Sequence, residues 1–293
     1  MNLQSKKIGV IGGSQGLGSW FVTYFRSRQV EVTFTSTDEY SEMASNKELV
    51  EYADIILLAV PISSMVPVLT EIYPLLHGKV LIEICSVKKF LIEHYEQLRQ
   101  QYPAVELGFC SIHPMFGPRI HSLTGQVVLF NHQENLEANT LLGLKDLLQA
   151  DGAELYEIPY VEHDKMMGIV QGLNHFNVFV SARTLARFEG DFEDIKKVAS
   201  PPYRIFIVFF TRYVLQNPLL YADIQMNNEY VFEVVRIFRD EMNRLFDIIQ
   251  TRDRQGFVNY IEEMQPYFQQ NEQDREVSTH LIEQLGVYLE KLN

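Results

Sequence analysis

Apolar and polar positions along this chain follow two regimes. Up to about residue 160, short apolar runs alternate with amphipathic stretches. "KIGVIGG" reads as a strand and a turn, "GLGSWFVTYFRSR" as a helix with one apolar face, and "VEVTFTS" as a second strand. "ADIILLAVP" and "KVLIEICS" are continuous apolar runs, the pattern of parallel strands buried on both faces. "ELGFCSIHP", "QVVLFN" and "AELYEIP" complete the strand candidates, with a helix-like segment near 134–150 before the last. Strands separated by helical segments predict βαβ units and a mostly parallel sheet.

Beyond about residue 160 the strand signals stop. "EHDKMMGIVQGLNHFNVFVSARTLARF" reads as one long helix. Val231, Val234, Val235, Phe238, Met242, Leu245 and Ile249 form one helical stripe, expected to be core or a dimer seam. The expected architecture is an α/β Rossmann-like dinucleotide-binding domain over 1–162, followed by an all-α C-terminal dimerisation and substrate domain over 163–293. Helix-on-helix pairing of two chains is expected there.

Composition narrows the function classes. The 293 residues are 46% hydrophobic and 22% charged, as in a soluble globular protein. A net charge of −13 speaks against a nucleic-acid surface, which needs a basic face. The N-terminus lacks the apolar centre of a signal peptide, and "IFIVFFTRYVL" is broken by Arg212 and too short to span a bilayer. The expectation is a cytoplasmic protein with no membrane or nucleic-acid partner. Cys85 and Cys110 lie in apolar runs without metal-ligand spacing, so they read as buried thiols, and no metal site is expected.

"IGVIGGSQGLGSWF" is a strand, a glycine-rich turn and a helix start, the context of a dinucleotide fingerprint. Counted from Gly13, the pattern is Gly13, Gln15, Gly18, with Gln15 where a glycine normally admits the phosphate and Gly16 one place later. Gly13, Ser14, Gln15, Gly16, Leu17 and Gly18 are the expected pyrophosphate cradle. Val60 and Pro61, after the third strand, are expected beside it. The second strand ends in Thr35, Ser36, Thr37 and Asp38. Ser36 and Asp38 are candidates for the ribose hydroxyls, although Asp38 is equally suited to cap the next helix. With no adjacent arginine for a 2′-phosphate, NAD is the first expectation and NADP stays open.

The stretch "SIHPMFGPR" holds His113 directly before a proline, which forces extended backbone, and a Pro-Gly-Pro set then predicts a stiff bend. An imidazole is suited to acid–base work near neutral pH, and such work needs fixed placement. Taken alone, His113 is equally a hydrogen-bonded turn residue. Ser86 follows a strand end, where ligands bind in doubly wound sheets, but a helix N-cap is the commoner role of such a serine. Gln171 and His175 fall one turn apart on the expected long helix, and Arg204 and Arg212 two turns apart on another. His163 and Asp164 read as helix-start residues.

Together, "GGSQGLGSWF", "SVK", "HPMFGP", "GQVVLF", "EHDKMMGIVQGLNHF", "SPPYR" and "QNPLLYADIQM" resemble the prephenate dehydrogenases of tyrosine biosynthesis, in the family's order from about residue 7 to about residue 270. The resemblance implies oxidative decarboxylation of prephenate. A hydride passes from the ring carbon bearing the hydroxyl to NAD or NADP, and the ring carboxylate leaves as CO2. It implies His113 as the group that takes the hydroxyl proton, with Ser86 holding the imidazole or the hydroxyl. It further implies Arg212 on the ring carboxylate and His175 on the pyruvyl side chain, with Gln171 and Arg204 as further substrate-binding candidates. It also implies the dehydrogenase without a fused chorismate mutase domain. The rival readings are an arogenate dehydrogenase and a non-catalytic dinucleotide-binding regulator. A β-hydroxyacid dehydrogenase would need a lysine where Gln171 stands.

Overall fold

The computed structural model describes residues 3–134, 138–188 and 190–291. Seven strands run in chain order: β1 (Lys7–Ile11), β2 (Glu31–Thr35), β3 (Ile55–Leu58), β4 (Val80–Glu83), β5 (Gly108–Pro114), β6 (Val127–Glu134) and β7 (Glu154–Glu157). They form one sheet in the order β2-β1-β3-β4-β5-β6-β7. All neighbours are parallel except β5 and β6, an antiparallel pair with a bulge between Ser111 and Ile112. Between them lie α1 (Gly16–Ser27), α2 (Asn46–Tyr52), α3 (Ile62–Ile72), α4 (Lys89–Gln101) and α5 (Ala138–Ala150). The segment 135–137 of the expected helix near 134–150 lies outside the described residues.

The continuous apolar strands are buried on both faces, as their composition predicts. Along β3, Ile55 and Leu57 join the core that includes Phe21 and Phe25 of α1. Ile56 and Leu58 alternate into a second core with Leu49 of α2, Leu69 of α3 and Tyr95 of α4. Each such side chain, taken fully out of water, stabilises the fold by about 1.5–3 kcal/mol. The chain enters the sheet at β1, adds β2 on one side and returns to add β3 on the other. This reversal opens a crevice at the carboxyl ends of β1 and β3, where doubly wound sheets bind ligands.

The remaining helices are α6 (Tyr160–Met167), α7 (Asn174–Arg187), α8 (Phe192–Val198), α9 (Pro201–Val214), α10 (Pro218–Asn227), α11 (Glu229–Gln250), α12 (Arg254–Phe268) and α13 (Asp274–Glu290). By its contacts the chain divides into two units, Met1–Met167 with Ala222–Asn228, and Gly168–Tyr221 with Glu229–Asn293. The expected boundary at 162 falls within α6, and by contacts the whole of that helix clusters with the first unit.

The single long helix expected from residue 162 is interrupted. Residues Gly168–Leu173 wind more widely, as a π-helical stretch between α6 and α7. The cause lies in two glycines one turn apart. A Cβ on Gly172 would stand 2.6 Å from Val231 Cγ2, and one on Gly168 would stand 3.1 Å from Tyr230 Cβ. Helix α11 approaches the backbone at these two points. Along α11 the apolar stripe is only partly covered: Val231 is buried, Phe238 and Leu245 are half-buried, and Met242 and Ile249 are exposed. No single helix among the described residues is long and apolar enough to cross a membrane.

Candidate active site

The loop after β1 has the shape that a dinucleotide requires. Gly12 takes φ +89° and turns the chain, and its N–H and that of Gly13 both donate to Thr35 O of β2, at 2.9 and 3.1 Å. A Cβ on Gly18 would stand 2.0 Å from Gly12 O, so only glycine lets α1 pack this closely on β1. Gly16 takes φ +58° and has nothing within 4 Å of its would-be Cβ, which leaves open space at the start of α1. The first N–H groups of a helix have no intrahelical acceptors, which suits a helix start beside open space to an anion. The turn glycine is thus Gly12, one place before the glycine from which the sequence pattern was counted. The end of β1 at Ile11 decides which glycine of the pair must turn. Val60 and Pro61 stand at the end of β3, Pro61 as the N-cap of α3.

At the end of β2, Asp38 accepts from Ser36 Oγ at 2.5 Å and from the Tyr40 N–H at 3.1 Å, and Gln15 Nε2 lies 3.5 Å away. The hydrogen bond from Ser36, with a further one from Ser14, holds this carboxyl below its ordinary range. Asp38 caps no helix: α2 starts at Asn46 and is capped by Ser45. These residues fit an adenosine ribose and pyrophosphate, since a carboxylate can accept from ribose hydroxyls and the open helix start can take a phosphate.

His113 lies on β5, paired across the sheet with Leu129, and is 2% exposed. Its backbone is extended, as expected before proline. Its rigidity has a different source from the predicted elbow: Pro114 continues the strand, and the ring is held by buried side chains. His113 Nδ1 lies 2.8 Å from His163 Nε2. His163 Nδ1 lies 2.8 Å from Asp164 Oδ1. The Asp164 carboxylate accepts the Lys88 N–H at 3.0 and 3.2 Å and the Lys89 N–H at 2.8 Å, at the start of α4. A carboxylate is stabilised at such a helix N-terminus by unpaired N–H groups and the helix dipole. Burial holds the His113 imidazole well below its ordinary range, with the neighbouring His163 and the Lys88 ammonium adding to it. His163 is also lowered by burial, against the opposing pull of Asp164.

A buried ion pair supports this row. Lys88 Nζ donates to Glu83 Oε1 at 2.8 Å and to Ile112 O at 2.6 Å, with both side chains essentially inaccessible. Glu83 also accepts from the Cys85 N–H at 2.6 Å and from Ser111 Oγ. The pair ties β4 to the residue before His113. Cys85 and Cys110 are free and buried, and burial pushes both thiols up to about 12, so they are inert.

Ser86 is half-buried, and its hydroxyl makes no hydrogen bond among the described residues. It does not cap α4, whose N-cap position is Lys88. It does not hold His113 Nδ1, because His163 does. Sequence reasoning gave His163 and Asp164 only a helix-start role. They do lie in α6, but both are buried, at 0% and 2% exposure.

In the second unit, His175 is buried on α7 against the rings of Tyr221 and Tyr213, at centroid distances of 4.9 and 5.3 Å, and the two tyrosine rings also touch each other. Its Nδ1 has no hydrogen-bond partner among the described residues, and burial lowers the imidazole to about 4. Tyr213 Oη accepts from Asn174 Nδ2 at 3.3 Å, and Tyr221 Oη donates to Gln216 Oε1 at 2.8 Å. Arg212, near the end of α9, is exposed, and Arg204, in its first turn, is half-buried. Neither guanidinium has an ion-pair partner among the described residues. Gln171 is half-buried within the π-helical stretch, not on a regular α-helical face with His175.

Comparison with known proteins bears on the family and the fold. Residues 27–157 match the family "Prephenate dehydrogenase, nucleotide-binding domain", and residues 160–263 match "Prephenate dehydrogenase, dimerization domain". A probable arogenate/prephenate dehydrogenase of Methanocaldococcus jannaschii is 34% identical over 278 residues, covering 89% of this chain and 60% of that protein. The chain thus spans about three fifths of that relative's length. The fold is that of the Aquifex aeolicus prephenate dehydrogenase solved with hydroxyphenyl propionate and NAD+, with a TM-score of 0.69 at 18% identity over 90% of this chain and 98% of that one. Synechocystis arogenate dehydrogenase shares it as well, with a TM-score of 0.61 at 21% identity over 93% of this chain and 99% of that one. With both domain types matched in order along its length, the chain belongs to the prephenate dehydrogenase family.

Proposed function

We propose that this protein is a prephenate dehydrogenase, which oxidatively decarboxylates prephenate to 4-hydroxyphenylpyruvate and CO2. The observation that carries the reading is the buried imidazole of His113, held at Nδ1 by His163 and Asp164 at the carboxyl edge of the sheet. A non-catalytic regulator of this fold has no use for such a row. Bound at the β1–α1 loop, a nicotinamide dinucleotide supplies the hydride acceptor. His113 accepts the hydroxyl proton of the substrate as the ring carbon is oxidised, and departure of the ring carboxylate leaves an aromatic product. A neutral imidazole is the form that this step needs, and burial favours it.

Further roles follow from the family motifs. Arg212 grips the ring carboxylate with its planar fork, and His175 contacts the pyruvyl side chain. Ser86 orients the substrate hydroxyl, and Gln171 and Arg204 are further substrate-binding groups. Gly12, Gly16 and Gly18 shape the pyrophosphate site. The Asp38 carboxylate, whose partners Ser36, Tyr40 N–H and Gln15 are all neutral, accepts from ribose hydroxyls and repels a 2′-phosphate, so NAD is preferred over NADP. The half-exposed stripe of α11 packs against a second copy of the chain in a cytoplasmic homodimer. Identification of products tests the reading: prephenate with NAD should give 4-hydroxyphenylpyruvate, CO2 and NADH in equal amounts. Tyrosine formed from arogenate, with prephenate left unconverted, would make the protein an arogenate dehydrogenase.

A further inference from the structure

We propose that His163 and Asp164 are positioning residues that select the His113 tautomer in which Nδ1 carries the proton and Nε2 does not. The inference rests on the reading of His113 as the proton acceptor, and it follows from counting donors along the row. The Asp164 carboxylate only accepts hydrogen bonds. Its 2.8 Å contact with His163 Nδ1 therefore requires a proton on that nitrogen. In a neutral ring the lone pair of His163 is then on Nε2. Two lone pairs cannot make the 2.8 Å contact between His163 Nε2 and His113 Nδ1, so His113 Nδ1 carries the proton. The lone pair of a neutral His113 is left on Nε2. Burial, the largest influence on both rings, keeps them neutral.

The Lys88 and Lys89 N–H groups fix the orientation of Asp164. Among the described residues, the other charged groups that act on the two rings are the Lys88 ammonium and Glu83, which are paired with each other. In turnover the substrate O–H bond breaks and an Nε2–H bond forms on His113. The Nδ1–H stays with His113, still donating to His163, and no second proton moves. The resulting imidazolium is stabilised through His163 by the carboxylate at the far end.

Asp164→Asn tests this with little change of shape. The Lys89 N–H donates to Oδ2 at 2.8 Å and the Lys88 N–H reaches both oxygens, so the amide oxygen takes the Oδ2 place, where two backbone donors meet it, and the NH2 at the Oδ1 place faces His163 Nδ1. Both rings must then switch tautomer, and His113 Nε2 becomes protonated. The expected result is a kcat lower by about 1,000-fold or more, with KM within about threefold and dinucleotide affinity unchanged. A kcat within about tenfold of wild type would overturn the proposal. Ring-nitrogen NMR of 15N-histidine-labelled wild type, with His113 assigned by His113→Gln, gives a readout that needs neither turnover nor a folded Asp164 variant. A protonated Nδ1 and bare Nε2 on His113 are expected, and the opposite tautomer would overturn the proposal. Because this spectrum does not depend on substrate, it separates failure of the tautomer argument from failure of the proposed reaction.

Discussion

His113 Nδ1 and His163 Nε2 stand 2.8 Å apart although fifty residues separate them in the chain. One ring is on the interior strand β5 and the other on α6. This contact occupies Nδ1 of His113, and the proposed chemistry falls to Nε2. His113→Asn keeps a polar group but cannot accept the proton. Its kcat is expected to fall by about 100-fold or more, with little change in KM. Steady-state kinetics over a range of prephenate concentrations measures both.

The glycine loop makes a separable prediction. At Gly18 an added Cβ would meet Gly12 O at 2.0 Å, which forces α1 off β1. Gly18→Ala is expected to destabilise the protein by about 1–3 kcal/mol and to weaken dinucleotide binding about tenfold or more. At Gly16 the new methyl meets no protein atom, and the cost is mainly its positive φ, about 1–2 kcal/mol. Urea unfolding with calorimetric titration of NADH distinguishes the two. Equal stability loss with intact affinity in both variants would contradict the assigned geometry.

Both faces of the sheet were legible in the sequence because buried parallel strands leave continuous apolar runs, as "ADIILLAVP" does around β3. His113 was legible because a proline follows it. His163 and Asp164 were not, because a polar pair in the first turn of a helix usually faces water, and only long-range packing buries this one. Their signal was present in "EHDKMM", a stretch that also carries the family resemblance. The π-helical stretch was hidden because Gly168 and Gly172 conform to an ordinary helical spacing, and their crowding against α11 appears only in three dimensions. Gly12 and Gly13 are chemically alike in the sequence; in the structure Gly12 takes the positive φ and Gly13 allows the close approach of Phe34.

The buried Lys88–Glu83 pair should be costly to break from one side. Lys88→Met leaves Glu83 with only Ser111 and the Cys85 N–H as partners. A loss of about 3–5 kcal/mol is expected. The double variant Glu83→Gln/Lys88→Met should lose clearly less than the sum of the single changes, because no charge is then left buried alone. Denaturant titration of the four proteins gives the coupling directly. Additive losses would mean that the pair is not coupled as described.

Acid should weaken the fold through its buried histidines. Burial lowers His175 to about 4 from an ordinary value of 6.5. The unfolded chain therefore takes up the proton first as pH falls. The stability associated with this group is complete above about pH 6.5 and is lost as pH drops towards 4, by about 2 kcal/mol at pH 5. His113 and His163 are shifted in the same direction. His175→Gln should therefore reduce, without abolishing, the fall in urea midpoint between pH 6.5 and 5. An unchanged slope would show that His175 is not buried as a neutral ring.

The central claim is that His113 is the proton acceptor of a prephenate-oxidising enzyme, and one parallel assay addresses it. Reduced dinucleotide would be followed by absorbance with prephenate and with arogenate, with NAD and with NADP, for wild type and His113→Asn. The account predicts turnover of prephenate with NAD by wild type and a loss of about 100-fold or more in the variant. No turnover of prephenate with either dinucleotide, or a variant as fast as wild type, would contradict it.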